Sequence, residues 1–522
     1  MSIKLEGGIK MKRTKSILKA VLMITVLSLL SASTIISAAT PITLVVAQLE
    51  PELLCSNWEM RAGAYYILPN IESKLFFLNE ENEVVPDLAE SWTVSADGLT
   101  YTIKLRQGVK FHHGTELTSA DIKWNYDKVI EVGGPNAAVL KSIKEVKIID
   151  KYTVAFLLTA PNGVFLNSLA AYYGTFILPK DLYEGTDVKK NPYNNKPSGT
   201  GPFKFVEWVP GSHILLKANE DYYGGKPKVD QLVFRFMNNI PTVLAALEKG
   251  EIHTAQISIS FGEIPRLQEV KNLEVVLKPD LNPIWVGFNL RDSKFDDVNV
   301  RKAIAHAIDR EAIAKIVFKG LTKPENSAWL SNVPWANNTK ALMPEYNIEK
   351  AKKLLDDAGF KAGPDGTRFE TSITCFIGAT LWGMPETAEF IREQLKLIGI
   401  KVNVKLLELA TWQEVVNKKH DFELCIAGGV RGPDPSDFTA FVADGGSRNA
   451  MGYRNERVEE LFKLGAVESN KAKRVAIYAE LQKIVADDLP LFNTTQTITP
   501  YIHRVEFTGF PWVEEYKALC QK

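Results

Sequence analysis

Residues 428–438 read GGVRGPDPSDF and follow the apolar run 422–427. Arg431 is the cation of this stretch, and Gly428, Gly429 and Gly432 leave space around it. A guanidinium in such a setting suits a carboxylate or phosphate, the more so just before a helix N-terminus. Asp434, Pro435 and Asp437 fall at the N-cap, N1 and N3 positions of a helix over PSDFTAFVA, so the aspartates read as structural. Arg431 could instead be a surface partner of Asp434 or Asp437.

Elsewhere the residues that could do chemistry are dispersed. His112 and His113 in FHHGTEL have no third metal ligand nearby and read as a polar turn after a strand. The other histidines, at 213, 253, 306, 420 and 503, are scattered. The carboxylate pairs at 296–297 and 487–488 are expected at helix ends, complementing the dipole. No GxSxG, HExxH, P-loop or dinucleotide-binding glycine motif is present. No catalytic residue, metal or cofactor is assigned on this reading, although a triad assembled in space need not show in sequence. Trp58, Tyr65, Tyr66, Tyr172, Tyr173, Trp382 and Trp412 lie in or near loops and helix starts. Such aromatics form either a stacking platform for a ligand or ordinary core.

The elements that position these residues change rhythm along the chain. The first third is β-rich: SWTVSADGLTYTIKLRQGVKF places Asp97 and Gly98 between two alternating runs, a hairpin signal. VKIIDKYTVAFLL and KPSGTGPFKFVEWVPGSHILLKA repeat the pattern, and PTVLAALEKGEI is a short helix stopped by Gly250. From about residue 286 helix and strand alternate. Val300, Ile304, Ala307 and Ile308 share one helical face, and NIEKAKKLLDDAGF is a helix ending at Gly359. RFETSITCFIG, IKVNVKLLEL and DFELCIA are strands, with a helix over PETAEFIREQLKLIG between the first two. Thr411 and Glu414 have capping-box spacing for the helix that follows the second strand. The order predicts an α/β sheet, whose ligands sit beyond the carboxyl ends of its strands. Residues 428–438 hold such a position.

The chain of 522 residues is 45% hydrophobic and 24% charged, enough for two or three domains. Six basic residues and one acidic residue fall in the first 39, leaving 56 basic against 61 acidic in the remainder. No basic stripe appears, which argues against a nucleic-acid partner. The start has the layout of an export signal. MKRTKSILKA is basic, VLMITVLSLL apolar, and Ser37 and Ala39 take the −3 and −1 positions of a small-residue end. Met11 is an alternative initiator, and residues 17–36 could instead stay as an uncleaved anchor. The four cysteines, Cys55, Cys375, Cys425 and Cys520, lack zinc-site spacing and allow three disulfide pairings. Cys375 and Cys425 lie in apolar strand-like runs and suit buried thiols.

Several ordered segments together carry a resemblance. They are VVPDLAESWTVSADGLTYTIKLRQGVKFHHGTELTSADI, PSGTGPFKFVEWVPG with NEDYYGGKPKVDQLVF, VGFNLRDSKFDDVNVRKAIAHAIDREAI, and AKKLLDDAGF. The chain resembles the extracellular solute-binding proteins of the peptide/nickel class (family 5), which serve ATP-driven (ABC) importers. The resemblance covers nearly all of the chain after the signal. It implies a two-lobed α/β fold, of the periplasmic-binding-protein type II-like kind (cluster C), with an extra β-rich subdomain in the first lobe. The expected boundaries are a signal peptide at 1–39, first-lobe segments at 40–70, 186–285 and 491–522, an inserted subdomain at 71–185, and a second lobe at 286–490.

The same resemblance implies a non-catalytic, monomeric, exported protein, periplasmic or membrane-associated outside the cell. Its partners would be a small-molecule or peptide ligand and a membrane permease, and no cofactor is implied. In peptide-binding relatives an aspartate on the matching turn holds the peptide's amino terminus, often after bulky residues such as Trp. Here Arg431 stands at that place and glycines replace the bulk. If the register shifts, Asp434 is the acid. If it does not, the ligand offers an anion, a sugar or a polar group near Arg431, because a cation repels an ammonium. Opine-like, carbohydrate and metal-chelate ligands then join oligopeptides as alternatives. The expected ligand-binding set is Arg431 and Asp434, Trp58, Glu59 and Met60 from the first lobe, Tyr172 and Tyr173 along the cleft, and Trp382 near its mouth. The rival reading is an exported hydrolase of peptides or glycans.

Overall fold

The computed structural model describes residues 41–55, 57–59, 63–171, 174–256, 259–377, 383–508 and 520–521. The chain divides into residues 1–42 and 43–522, and every element below belongs to the second unit. Strand β1 (Thr43–Gln48) and the hairpin β2 (Phe76–Leu78) and β3 (Val84–Pro86) come first. Then β4 (Ala89–Val94), β5 (Thr100–Leu105), β6 (Ile143–Asp150) and β7 (Thr153–Leu158) form an antiparallel sheet of their own, in the order β4-β5-β7-β6. The Asp97–Gly98 turn closes its first hairpin as expected: Asp97 Oδ1 accepts from the Leu99 N–H, and Gly98 has a φ of 70°. Tyr101, Ile103, Tyr126 and Phe156 build the core between this sheet and the helix Ser119–Val132.

Next come β8 (Phe203–Val209), β9 (His213–Ala218), β10 (Gln231–Phe236), β11 (Thr254–Ala255) and β12 (Leu273–Pro279). The following strands belong to a different sheet: β13 (Ile284–Phe288), β14 (Phe369–Phe376), β15 (Ile400–Leu407), β16 (Leu424–Ala427) and β17 (Leu491–Thr495), in the order β15-β14-β16-β13-β17. Finally β18 (Ile498–Arg504) returns to complete a seven-stranded sheet ordered β12-β18-β11-β1-β10-β9-β8. Strands β14 and β15 pair in parallel from Phe369↔Ile400 to Phe376↔Leu407, which a crossover through the helix Met384–Lys396 makes possible.

The five-stranded sheet is apolar on both faces, so its strands read as continuous hydrophobic runs. Val286, Ile373, Cys375 and Ile426 point into one core, and Trp285, Cys425, Ala427 and Leu491 into the other. Thr374 is the parallel partner of Cys425, so Cys375 and Cys425 face opposite sides and cannot form a bridge without moving the backbone. Both are free and buried, as is Cys55 in the core of the four-stranded sheet. Burial pushes the Cys375 and Cys425 thiols up to about 12. Because the thiolate is the reactive form, an aromatic disulfide reagent should label none of these three in the folded protein and all three in denaturant. Rapid labelling of Cys425 under native conditions would contradict the packing.

Three local expectations are revised. The helix after β15 begins at Leu409 with Glu408 at its N-cap, so Thr411 lies inside the helical segment rather than capping it. Asp297 does cap a helix, accepting from the Asn299 N–H, but Asp488 ends the helix Lys471–Asp488, where the dipole disfavours an acid. Its carboxylate instead accepts from Tyr453 Oη at 2.6 Å and Asn455 Nδ2 at 2.9 Å. Asp434 caps as expected, but it opens a 3-10 turn, Pro435–Phe438, continued by the single α-helical turn Thr439–Val442.

The four-stranded sheet is held on both sides. Toward the seven-stranded sheet, the His112 N–H donates to Gly199 O at 2.8 Å and the His112 ring meets Gly201 O at 2.9 Å. Burial lowers the His112 pKa to about 4, so the ring is neutral at pH 7. Toward the five-stranded sheet, the Gly163 N–H donates to Ala466 O at 2.7 Å, and in the adjoining β2–β3 hairpin Glu83 Oε1 lies 2.5 Å from Lys471 Nζ. A Cβ on Gly163 would come within 2.2 Å of Glu468 O, so glycine is needed for that approach.

Candidate functional site

The chain passes between the two large sheets twice, at residues 280–283 and 496–497. The two passages are tied together: Asp280 N donates to Thr497 O at 2.9 Å, and Thr497 Oγ1 to Asn282 O at 2.5 Å. The loop that follows β16 rests on the first passage. Its Gly429 N–H donates to Asn282 Oδ1 and its Arg431 N–H to Leu281 O. Residues 428–434 therefore lie at the carboxyl end of a parallel strand and against the connection between two sheets, the place where α/β folds hold ligands.

Arg431 is fully buried. Its Nη1 donates to Asn493 Oδ1 at 2.8 Å, while its Nε and Nη2 have no hydrogen-bond partner among the described residues. The guanidinium is walled by aromatic rings, with Trp285, Phe438 and Phe441 centroids 5.6, 5.3 and 5.0 Å from Cζ. Ring faces of this kind stabilise a desolvated cation without neutralising it. Burial pulls the Arg431 pKa down to about 9, which leaves the group charged at neutral pH. Glu325 attracts it but is itself occupied, accepting from the backbone and hydroxyl groups of Ser327 and Ser331 and from Gln496 Nε2.

The glycines around Arg431 make room for neighbours rather than for solvent. A Cβ on Gly428 would meet Met384 Cε at 2.8 Å and Asn282 Oδ1 at 2.9 Å. One on Gly429 would meet Arg448 Nη1 at 2.2 Å and Phe441 Cζ at 3.0 Å. Asp434 is buried and gripped bidentately by Arg474, at 2.7 and 2.8 Å, while its Oδ1 also accepts from the Ser436 N–H. Arg474 continues through Nε to Gly465 O at 3.0 Å, beside the Gly163 contact.

The remaining candidates fall elsewhere. Trp58 is buried in the core of the four-stranded sheet, edge-on to Trp124 with centroids 6.3 Å apart. Glu59, next to it, is half-buried. Met60, Tyr172, Tyr173 and Trp382 lie outside the described residues. The structure thus brings Arg431 and Asp434 together on one loop and places Trp58 and Glu59 on another body. Sequence reasoning missed Asn282, Glu325 and Arg448. A polar residue between two strand-like runs was the available signal for Asn282, and nothing local marks the other two. It also missed the apolar residues exposed beyond strand ends, Leu49 after β1, Ile377 after β14 and Val430 after β16.

Two α/β bodies joined by paired passages, with an inserted antiparallel sheet, define a two-lobed solute-binding architecture. The model of the bacterial extracellular solute-binding proteins, family 5 Middle, matches residues 83–450, and the chain belongs to that family. The family is one of substrate-binding proteins. The oligopeptide-binding protein AppA of Bacillus subtilis is 29% identical over 461 residues, covering 84% of this chain and 83% of AppA. The structure of AppA with a nonapeptide overlaps at a TM-score of 0.65, with 26% identity over 92% of this chain and 100% of that one. HbpA2 of Haemophilus parasuis overlaps at 0.82, with 25% identity over 92% and 100%. Among the described residues, no helix is long and apolar enough to cross a membrane.

Proposed function

We propose that this protein is the substrate-binding component of an ABC importer. It captures a small solute between its two lobes and delivers it to a membrane permease without chemical conversion. The solute is peptide-like, or another polar molecule, and carries an anionic group toward the loop 428–434. The observation that carries this reading is the charge of that loop: Arg431 is a buried cation with two unpartnered nitrogens, and Asp434 is already taken by Arg474. A carboxylate held bidentately by arginine is poorly placed to accept a ligand ammonium. Exposed Val430 and Leu49 would give the solute apolar contact at the same strand ends. On the first-lobe side Glu59, Met60, Tyr172 and Tyr173 would line the cleft, with Trp382 contributing from the second lobe, while Trp58 serves in the core beside Glu59. The chain would be exported, to the periplasm or to a membrane-associated place outside the cell, and would act as a monomer.

The paired passages at 280–283 and 496–497 form a narrow connection between the two bodies, which supports a hinge about which the lobes close on binding. Native mass spectrometry of the purified protein, before and after denaturing removal of bound molecules, tests the solute class. A discrete adduct bearing an acid group is expected; ladders of peptide masses would mean generic peptide capture and a structural role for Arg431. Small-angle scattering should show compaction when the stripped protein is reloaded. An unchanged radius of gyration with a tightly bound solute would refute closure.

A further inference from the structure

We propose that Arg448 is the residue that meets the anionic group of the solute, with Arg431 as a second cation buried behind Phe441. The inference rests on the solute-binding reading above. Arg448 is exposed, and its Cζ lies 5.3 Å from the Phe441 ring, the same ring whose centroid is 5.0 Å from Arg431 Cζ. Two guanidinium groups thus share one phenyl side chain. Among the described residues, no carboxylate lies within ion-pair distance of either. The acids nearby in sequence or space are engaged: Asp434 with Arg474, Asp444 with Arg454, Glu325 with Ser327, Ser331 and Gln496. Two like charges against one ring, with Glu325 (hydrogen-bonded to neutral groups) attracting Arg431 only from beyond ion-pair distance, cost stability. A fold that keeps them has a use for the positive potential, and an incoming anion is the group that relieves it.

The position of Arg448 is built rather than incidental. Its N–H donates to Ala440 O at 2.8 Å. The next residue, Asn449, is locked by its side chain to Ala443 O and Tyr453 O at 2.7 and 2.8 Å. Gly446 lets this turn close, because a Cβ there would meet Thr439 O at 2.6 Å. Gly429 receives the guanidinium, and the same glycine donates its N–H to Asn282 in the passage between the sheets. Arg448 is therefore pre-positioned at the loop beyond β16, which lowers the ordering cost of binding. The unpartnered, fully buried Nε and Nη2 of Arg431 provide the independent sign that this loop awaits a polar occupant. The chemistry favoured is a carboxylate or phosphate on a solute with an adjoining apolar part, which Val430 would contact.

Arg448→Ala and Arg448→Lys separate this role from a structural one, since the side chain is exposed and the melting temperature should stay the same in Arg448→Lys and stay the same or rise slightly in Arg448→Ala, where the repulsion of Arg431 is relieved. Wild type and both variants would be purified alike and compared by native mass spectrometry. After stripping, each would be titrated calorimetrically with tetra-alanine as the free acid, with tetra-alanine amide, and with inorganic phosphate. The expected result is loss of the co-purified adduct in Arg448→Ala and about 10- to 100-fold weaker binding of whichever anionic probe wild type prefers, with partial retention in Arg448→Lys. Preference for tetra-alanine acid over its amide marks a carboxylate source; binding of phosphate alone marks a phosphorylated one. Equal adduct retention in wild type and Arg448→Ala, or equal affinity for acid and amide without phosphate binding, overturns the assignment while leaving solute capture intact. No adduct and no heat with any probe would overturn both.

Discussion

Replacing Arg474 by methionine is expected to lower the stability of the second lobe by about 3–5 kcal/mol, read as a shift in the urea midpoint. The side chains of Arg474 and Asp434 are 5% and 4% exposed and meet through two nitrogen–oxygen contacts. Removing the guanidinium leaves a carboxylate in the interior with the Ser436 N–H as its remaining donor. The penalty is that of an unpaired buried charge, larger than the net value of the ion pair. The double substitution Asp434→Leu with Arg474→Met should therefore recover most of the loss. A single-variant loss below about 1 kcal/mol, typical of an exposed pair, would show that the pair is not desolvated in solution.

The second large effect is a pH dependence seated in Glu72. Its side chain is 3% exposed and its Oε2 has no partner among the described residues, and burial pushes its pKa up to about 8. In the unfolded chain the group returns to its ordinary value near 4.5. Below that pH both states hold the proton and the contribution of Glu72 is fully present. As pH rises toward 8 the folded state retains a proton that the unfolded state has lost, so stability falls; above about 8 the effect levels off. At about 1.4 kcal/mol per unit, the whole window is worth on the order of 5 kcal/mol. Glu72→Gln, neutral throughout, should unfold near the wild-type temperature at pH 5 and well above it at pH 8. Parallel melting curves for the two proteins across this range would disprove a buried, protonated Glu72.

How much of the fold the sequence made legible depends on how local each signal is. The hairpin at Asp97 and Gly98 announces itself because alternation and turn chemistry act over a few residues. The run of strand, helix and strand from residue 369 to 407 was readable for the same reason, and it places the 428–434 loop at a strand's carboxyl end. The occupants of the space around that loop were not readable. Gly429 stands against Arg448 from a later turn and Asn282 from an earlier passage, and no periodicity links three such positions. Thr411 fails as a cap because β15 ends at Leu407 and the chain turns helical at once. Asp488 ignores the dipole rule because Tyr453 and Asn455, distant in sequence, supply stronger partners than the helix end repels. Gly287 shows the same limit. Its missing side chain admits Trp285, whose ring forms one wall of the Arg431 enclosure.

The bond from Gly163 to Ala466, with Lys471 against Glu83, joins bodies that the passages at 280–283 and 496–497 already join. A door hung at a single point can swing and twist in many directions. One hung at two points has a single swing that strains neither mounting, about the line through both. The inserted sheet, fastened to the first lobe through His112, thus supplies a second mounting far along the chain from the first. The closure proposed above would then turn about the line through both mountings, bringing the faces beyond β1 and β16 together in one register.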